Sequence, residues 1–98
     1  MILNLLYGGE ALNANKAKEK IIRKIAKKNY INKVKDCINN AIVNYKFGCD
    51  IKIDESDDID IDIHTTLICI IKWLDYYGYD SCIKELNRNS GIIKVNWG

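Results

Sequence analysis

The sequence predicts a small α+β domain of order α-β-α-β-β, a small antiparallel sheet packed on helices. Three observations predict it. Ala14 to Tyr45 contains neither glycine nor proline, alternation of period two begins after Gly48, and a second apolar helical stretch is followed by two turn-separated strands. Ninety-eight residues make a single domain, with 1–9 as an apolar arm and glycine hinge. At 48% apolar, 29% charged and no proline, the chain is neither a disordered tail nor a fibrous repeat. A chain this short buries about 60–68% of its unfolded surface, which argues against the deep private cleft of most enzymes.

The first segment, Met1 to Tyr7 before Gly8-Gly9, reads either as a strand or turn over its own core or as an arm that docks on a neighbouring subunit through Ile2, Leu5 and Leu6. Asn13 or Asn15 offers an N-cap for the helix that follows. Its periodicity defines two seams. Ala14, Ala17, Ile21 and Ile25 lie on one face, and Ile31, Val34, Ile38, Ala41, Ile42 and Tyr45 on a nearly opposed one, with the phase slipping near Lys27-Lys28-Asn29. Either the helix breaks near Asn29 and folds back, or it runs straight and buries its seams against different things. A straight helix over 14–45 would be about 48 Å long, whereas a compact chain of this size has a gyration radius near 13 Å. The straight form would leave a seam wet unless a second chain covered it, so it implies a homo-oligomer.

After Gly48, Cys49 to Asp54 alternates as a half-buried strand. Ile59 to His64 alternates too, and either pairs with it as a hairpin or remains an extended loop. Thr65 or Thr66 can cap a helix over Leu67 to Tyr77, with Gly78 at its stop. Only Lys72 and Asp75 interrupt its apolar surface, so it must be covered on more than one side, by the sheet, the long helix or another subunit through Ile68. Tyr79 to Leu86 and Ile92 to Trp97 read as two strands joined by the turn-rich Asn87 to Gly91.

The four cysteines, Cys37, Cys49, Cys69 and Cys82, form no CxxC pair and no zinc-ribbon spacing. They read as small reduced core residues, which together with the lack of a cationic secretory n-region predicts an intracellular protein, in a host cytoplasm or a virion. The longest apolar run, Leu67 to Leu74, is broken by Lys72 and falls far short of the roughly 20 residues that span a bilayer, so no membrane partner is expected. No metal site and no cofactor are expected either.

Net charge is only +2, but it is unevenly distributed. Lys16, Lys20, Arg23 and Lys27 recur at i, i+4, i+7 and i+11 as one cationic ridge, with Lys24 beside it. The ridge is a solvated face, a phosphate-neutralising surface for nucleic acid, or a seat for an anionic nucleotide whose base would lie on Trp73 or Tyr77. Aromatic residues clustered at a helix end, Trp73, Tyr76, Tyr77, Tyr79 and the more distant Trp97, are also ordinary core. The acidic stretch runs from Asp50 to Asp62. Its Asp54, Ser56, Asp58 and Asp60 have the spacing of a calcium loop, yet Ile59 stands where glycine is needed and Thr65 where a bidentate glutamate is needed. The acids are therefore the wet face of a strand, a phosphate-mimicking strip that blocks a host protein, or counter-charges to the basic stretch in cis or across a subunit contact.

Catalysis has little basis in the sequence. His64 is the only histidine and has no nucleophile or carboxylate at a diagnostic spacing, and Gly8-Gly9 is not a phosphate loop. The order of elements, with Gly48-x-x-Ile51-x-Ile53, Leu74-x-x-x-Gly78-Tyr79 and Ile93-x-Val95-x-Trp97, resembles small uncharacterised proteins of tailed phages and large DNA viruses. The longer acidic segment, and Asn96 where a small hydroxyl residue is common, depart from that pattern. The resemblance implies viral origin and no reaction. The expected function is non-enzymatic: self-association and partner contact as a virion component or host-directed accessory factor. An oligomeric sponge for an anionic nucleotide signal, or nucleic-acid binding through the basic helix, are the alternatives.

Overall fold

The computed structural model describes residues 6–7, 10–11 and 13–98, the first four through their backbone. Strand β1 (Leu6–Tyr7) pairs antiparallel with β2 (Glu10–Ala11). Ile2 and Leu5, expected in a docking arm, lie outside the described residues, and Leu6 is described only as part of β1. Helix α1 (Ala14–Ala26) starts at Asn13, whose side-chain oxygen accepts the Lys16 backbone N–H at 2.9 Å, as an N-cap should.

The long helix breaks. α1 ends at Ala26, Lys28 is extended, and α2 (Asn29–Val43) begins one residue later, where the phase slips in the sequence. Each half can then turn its own seam to one core. α1 packs on helix α3 (Ile63–Tyr76), and α2 packs on strand β3 (Gly48–Asp54). The overhang that called for a second chain does not form. The nearly all-apolar α3 is likewise covered within the chain, by α1 on one side and by β4 (Asp80–Leu86) and β5 (Ser90–Asn96) on the other. The molecule is nonetheless long, 48 × 30 × 21 Å with a gyration radius of 15.5 Å. One cause is α1, whose burial begins only at Ile22.

The seams themselves need correction. α1 buries Ile22 and Ile25 with half-buried Ala26, so Ile21 is exposed. Turning Ile21 inward would rotate Ile22 by about 100° away from α3. Ile25, expected to meet a partner, is spent in the core. α2 buries Tyr30, Ile31, Val34, Ile38 and Ala41, but Ile42 is exposed in its last turn and Tyr45 is exposed beyond its end at Val43.

The sheet runs β3-β5-β4, all antiparallel. Ile51, Ile53, Ile93 and Val95 point to the helices and are fully buried. Gly91 leaves room for Leu67, since a Cβ there would overlap the Leu67 side chain. On the opposite, wet face Lys84 of β4 reaches across the central strand to Asp50 of β3 at 2.6 Å. A bulge lies between Ile83 and Glu85 on the β4 edge. Residues 59–62 are neither strand nor hairpin partner. They lead into α3, which starts at Ile63 because Asp62, not Thr65 or Thr66, is the N-cap, accepting the Thr65 N–H at 3.0 Å and hydroxyl at 2.7 Å. Thr66 is instead buried and donates its hydroxyl to the Asp62 carbonyl at 2.9 Å.

Both α2 and α3 end in the same way. At α3 the Gly78 N–H reaches the Asp75 carbonyl and the Tyr79 N–H the Leu74 carbonyl, both at 3.0 Å, with Gly78 at φ +87. At α2 the Tyr45 N–H reaches Ile42 at 3.0 Å and the Lys46 N–H reaches Ala41 at 2.9 Å, but the left-handed position at φ +58 is held by tyrosine. A non-glycine residue there costs about 1–2 kcal/mol, and the greater freedom of glycine in the unfolded chain returns part of that. Tyr45→Gly is therefore expected to raise the melting temperature by about 2–6 °C in a thermal scan.

Candidate functional site

Three local arrangements outside the core carry chemistry. The first is a polar clamp at the α1–α2 break. Asp54 accepts the Ser56 N–H at 2.9 Å while Asp57 accepts the Asp54 N–H at 2.8 Å, so the acidic turn after β3 caps itself. It then offers its remaining oxygens to the helix junction. Lys28 meets Asp60 at 2.5 Å, Asn29 meets Asp58 at 2.9 Å, and Lys33 meets Asp57 at 3.0 Å. The acids thus serve as counter-charges in cis. The Lys28 hydrogen bond holds the Asp60 carboxyl below its ordinary range. Hydrogen bonds from Ser56 do the same for Asp54, and those from Thr65 for Asp62. Just beneath, burial pushes the Tyr30 phenol up to about 12.

The second is an aromatic cleft of about 420 Å³ lined by Ala26, Lys35, Trp73, Tyr77 and Tyr79. Ends of α1 and α3 and the middle of α2 meet there. Trp73 is only 8% exposed, and its ring lies 5.0 Å from that of Tyr77 at 58°. The Lys35 ammonium stands over the Trp73 ring at 6.0 Å. Tyr76 extends the cluster edge-on to Tyr77, while Tyr79 is edge-on to Trp97 at 5.7 Å. The indole Nε1–H of Trp73 is buried without a hydrogen-bond partner among the described residues.

The third is an apolar corner where α2 passes into β3. Ile42 (54% exposed), Val43 (74%), Tyr45 (92%) and Phe47 (68%) face water within six consecutive positions. The Trp97 N–H donates to the Phe47 carbonyl at 2.9 Å and ties the corner to the sheet. A groove of about 200 Å³ beside it is lined by Lys46 and Asp50 together with Cys37, Asn40 and Cys49.

The residues singled out in the sequence are distributed unevenly over these places. Trp73 and Tyr77 do come together in the cleft. Lys16, Lys20, Arg23 and Lys24 are exposed on α1 and Lys27 is exposed at its C-cap, and none of them lines the cleft. Arg23 lies 3.9 Å from Glu19 one turn away. Ile68 and Ile21 are exposed, on α3 and α1. Sequence reasoning missed Lys35, whose place over Trp73 depends on where the fold sets α2 relative to α3. It also missed Val43 and Phe47, which sit where a helix seam gives way to a turn. Only the crowding of large apolar residues around the Tyr45-Lys46 turn signals the corner.

His64 is exposed, and among the described residues no group of three or more His, Cys, Asp or Glu side chains could hold a metal ion. No described helix is long and apolar enough to cross a membrane. Burial raises the thiols of Cys37, Cys49 and Cys69, each half-buried, whereas Cys82 is exposed on the wet face of the sheet, contrary to its expected core place. Neither a family model, nor a curated protein, nor a solved structure matches this chain.

Two outcomes follow from this chemistry. A thiol reagent is expected to label Cys82 well ahead of the other three cysteines, as read by peptide mass mapping at short times. The carboxyls of Asp54, Asp60 and Asp62 are depressed in the folded state, so their stabilisation is present above the ordinary carboxylate value near pH 4 and is lost as pH falls through their folded values. Urea midpoints measured downward from about pH 5 should drop, and Asp60→Asn should flatten that drop.

Proposed function

We propose that this chain is a non-enzymatic contact protein that works by self-association, with the apolar corner at Ile42, Val43, Tyr45 and Phe47 as the surface. The observation that carries this reading is Tyr45. A large ring is held in a left-handed backbone conformation that disfavours it, at a site where it contributes almost no packing to its own fold. Strain retained at an exposed aromatic fits a role in contact better than a role in folding. Four large apolar side chains close together also form the kind of surface that associating proteins cover.

A second copy of the chain is the partner this corner suits. Lys46 and Asp50 line one groove beside it, and a two-fold apposition that brings the two grooves together would let the lysine of each copy join Lys84 on the aspartate of the other. Such reciprocity suits an isologous contact. The resemblance to phage and large-virus proteins would make this a virion component or a host-directed accessory factor.

Light scattering at tens of micromolar protein tests the reading. The expected result is a dimer or larger mass for the natural chain and a monomer for Phe47→Asp with unchanged circular dichroism. A monomeric natural chain at both low and high salt would overturn it.

A further inference from the structure

From the aromatic cleft we infer a second, independent activity: the chain binds a small planar ligand that carries one anionic group, of the size and chemistry of a nucleoside monophosphate. Several features of the cleft point the same way. Its volume of about 420 Å³ lies within the range of about 300–1,000 Å³ typical of small-molecule sites. Its walls are three aromatic rings and an alanine, and among the described residues Lys35 is the only charged one in the lining. No carboxylate is among the described lining residues, so the field of that lining favours an anion.

The arrangement of the rings sets the ligand's shape. Trp73 and Tyr77 meet at 58° and do not stack flat on each other, which leaves ring surface of the more exposed Tyr77 available to a planar guest. Lys35 stands at 6.0 Å over the indole, within cation–π range yet too distant to be held tightly. Its ammonium can hold that contact and still donate to a phosphate or carboxylate beside the guest ring. The Trp73 Nε1–H is buried beneath the cleft with no partner among the described residues. A buried donor without an acceptor is costly, and natural interiors seldom leave one so. A guest with a ring nitrogen or carbonyl, which a plain hydrocarbon lacks, would relieve that cost where its binding shifts the indole enough to uncover the donor, which has no exposed surface of its own.

This site differs from the ridge on α1. Lys16, Lys20 and Lys24 do not line the cleft, so the ligand is a single small molecule seated by Lys35 and not a strand tracked along the helix. It also lies apart from the corner, with no lining residue in common.

The test is an NMR titration of the full chain in which the Trp73 indole cross-peak, assigned with Trp97→Phe, is followed during addition of each of the four ribonucleoside 5′-monophosphates. Adenosine and inorganic phosphate are added as separate probes. The expected result is a saturable shift of the Trp73 indole signal with at least one monophosphate, with adenosine and phosphate each at least tenfold weaker. Lys35→Met and Tyr77→Ala, both at exposed positions, should each weaken binding about tenfold, and Lys52→Met on the wet sheet face should leave it unchanged. The inference is overturned by any of three results: no saturable shift with any monophosphate at millimolar concentration, inorganic phosphate binding as tightly as the monophosphates, or Lys35→Met binding like the natural chain. Spectra of the free variants report whether each retains the fold.

Discussion

Lys28, Asn29 and Lys33 grip the acidic turn that follows β3, and the rest of the architecture depends on that grip. An unbroken helix would carry its two apolar seams to opposed sides, and one core could take only one of them. With the chain extended at Lys28, the seam of Ile22 and Ile25 turns to α3 and that of Ile31, Val34 and Ile38 turns to the sheet. The break exposes backbone and places cations close together. Asp57, Asp58 and Asp60 answer both with hydrogen bonds and opposite charge. The acidic segment is thus structural cement for a helix junction, and it needs neither calcium nor a host protein to account for it.

Much of the fold was legible before any coordinates. Glycine-free and proline-free text marked the helical region, the slip near Lys27-Lys28-Asn29 marked where it either breaks or changes face without deciding between the two, and period two after Gly48 marked β3, while Gly78 marked the end of α3. What misled was local ambiguity. Ile59, Ile61 and Ile63 alternate like a strand, but Asp62 caps the next helix, so of the three only Ile63 is buried and the alternation is incidental. Ile21 and Ile22 are adjacent, and periodicity alone could not decide which of the two faced inward. That choice was made by α3, an element some forty positions further along.

The functional surfaces were less legible for the same reason. Trp73 and Tyr77 are four apart on one helix, so their meeting follows from the spacing. Lys35 lies on a different helix, and its approach to the indole is a tertiary event that no spacing encodes. The basic ridge, by contrast, was easy to see as a pattern, and in three dimensions it is a face turned to water that lines neither the cleft nor the corner. Conspicuous charge in a sequence reports exposure first, whereas the cleft is built from residues that read individually as core.

The strand order β3-β5-β4 has a consequence for biosynthesis. The strand in the middle of the sheet is the last of the three to leave the ribosome, and the two that flank it share no backbone hydrogen bonds with each other, only with it. Until residues 90–96 join the sheet, β3 and β4 have no strand partner and the helices lack the Ile93 and Val95 side of their core. Folding of the sheet is therefore a late, nearly all-or-none event, and until it happens those unpaired edges are the part of the chain most in need of shelter from other nascent proteins.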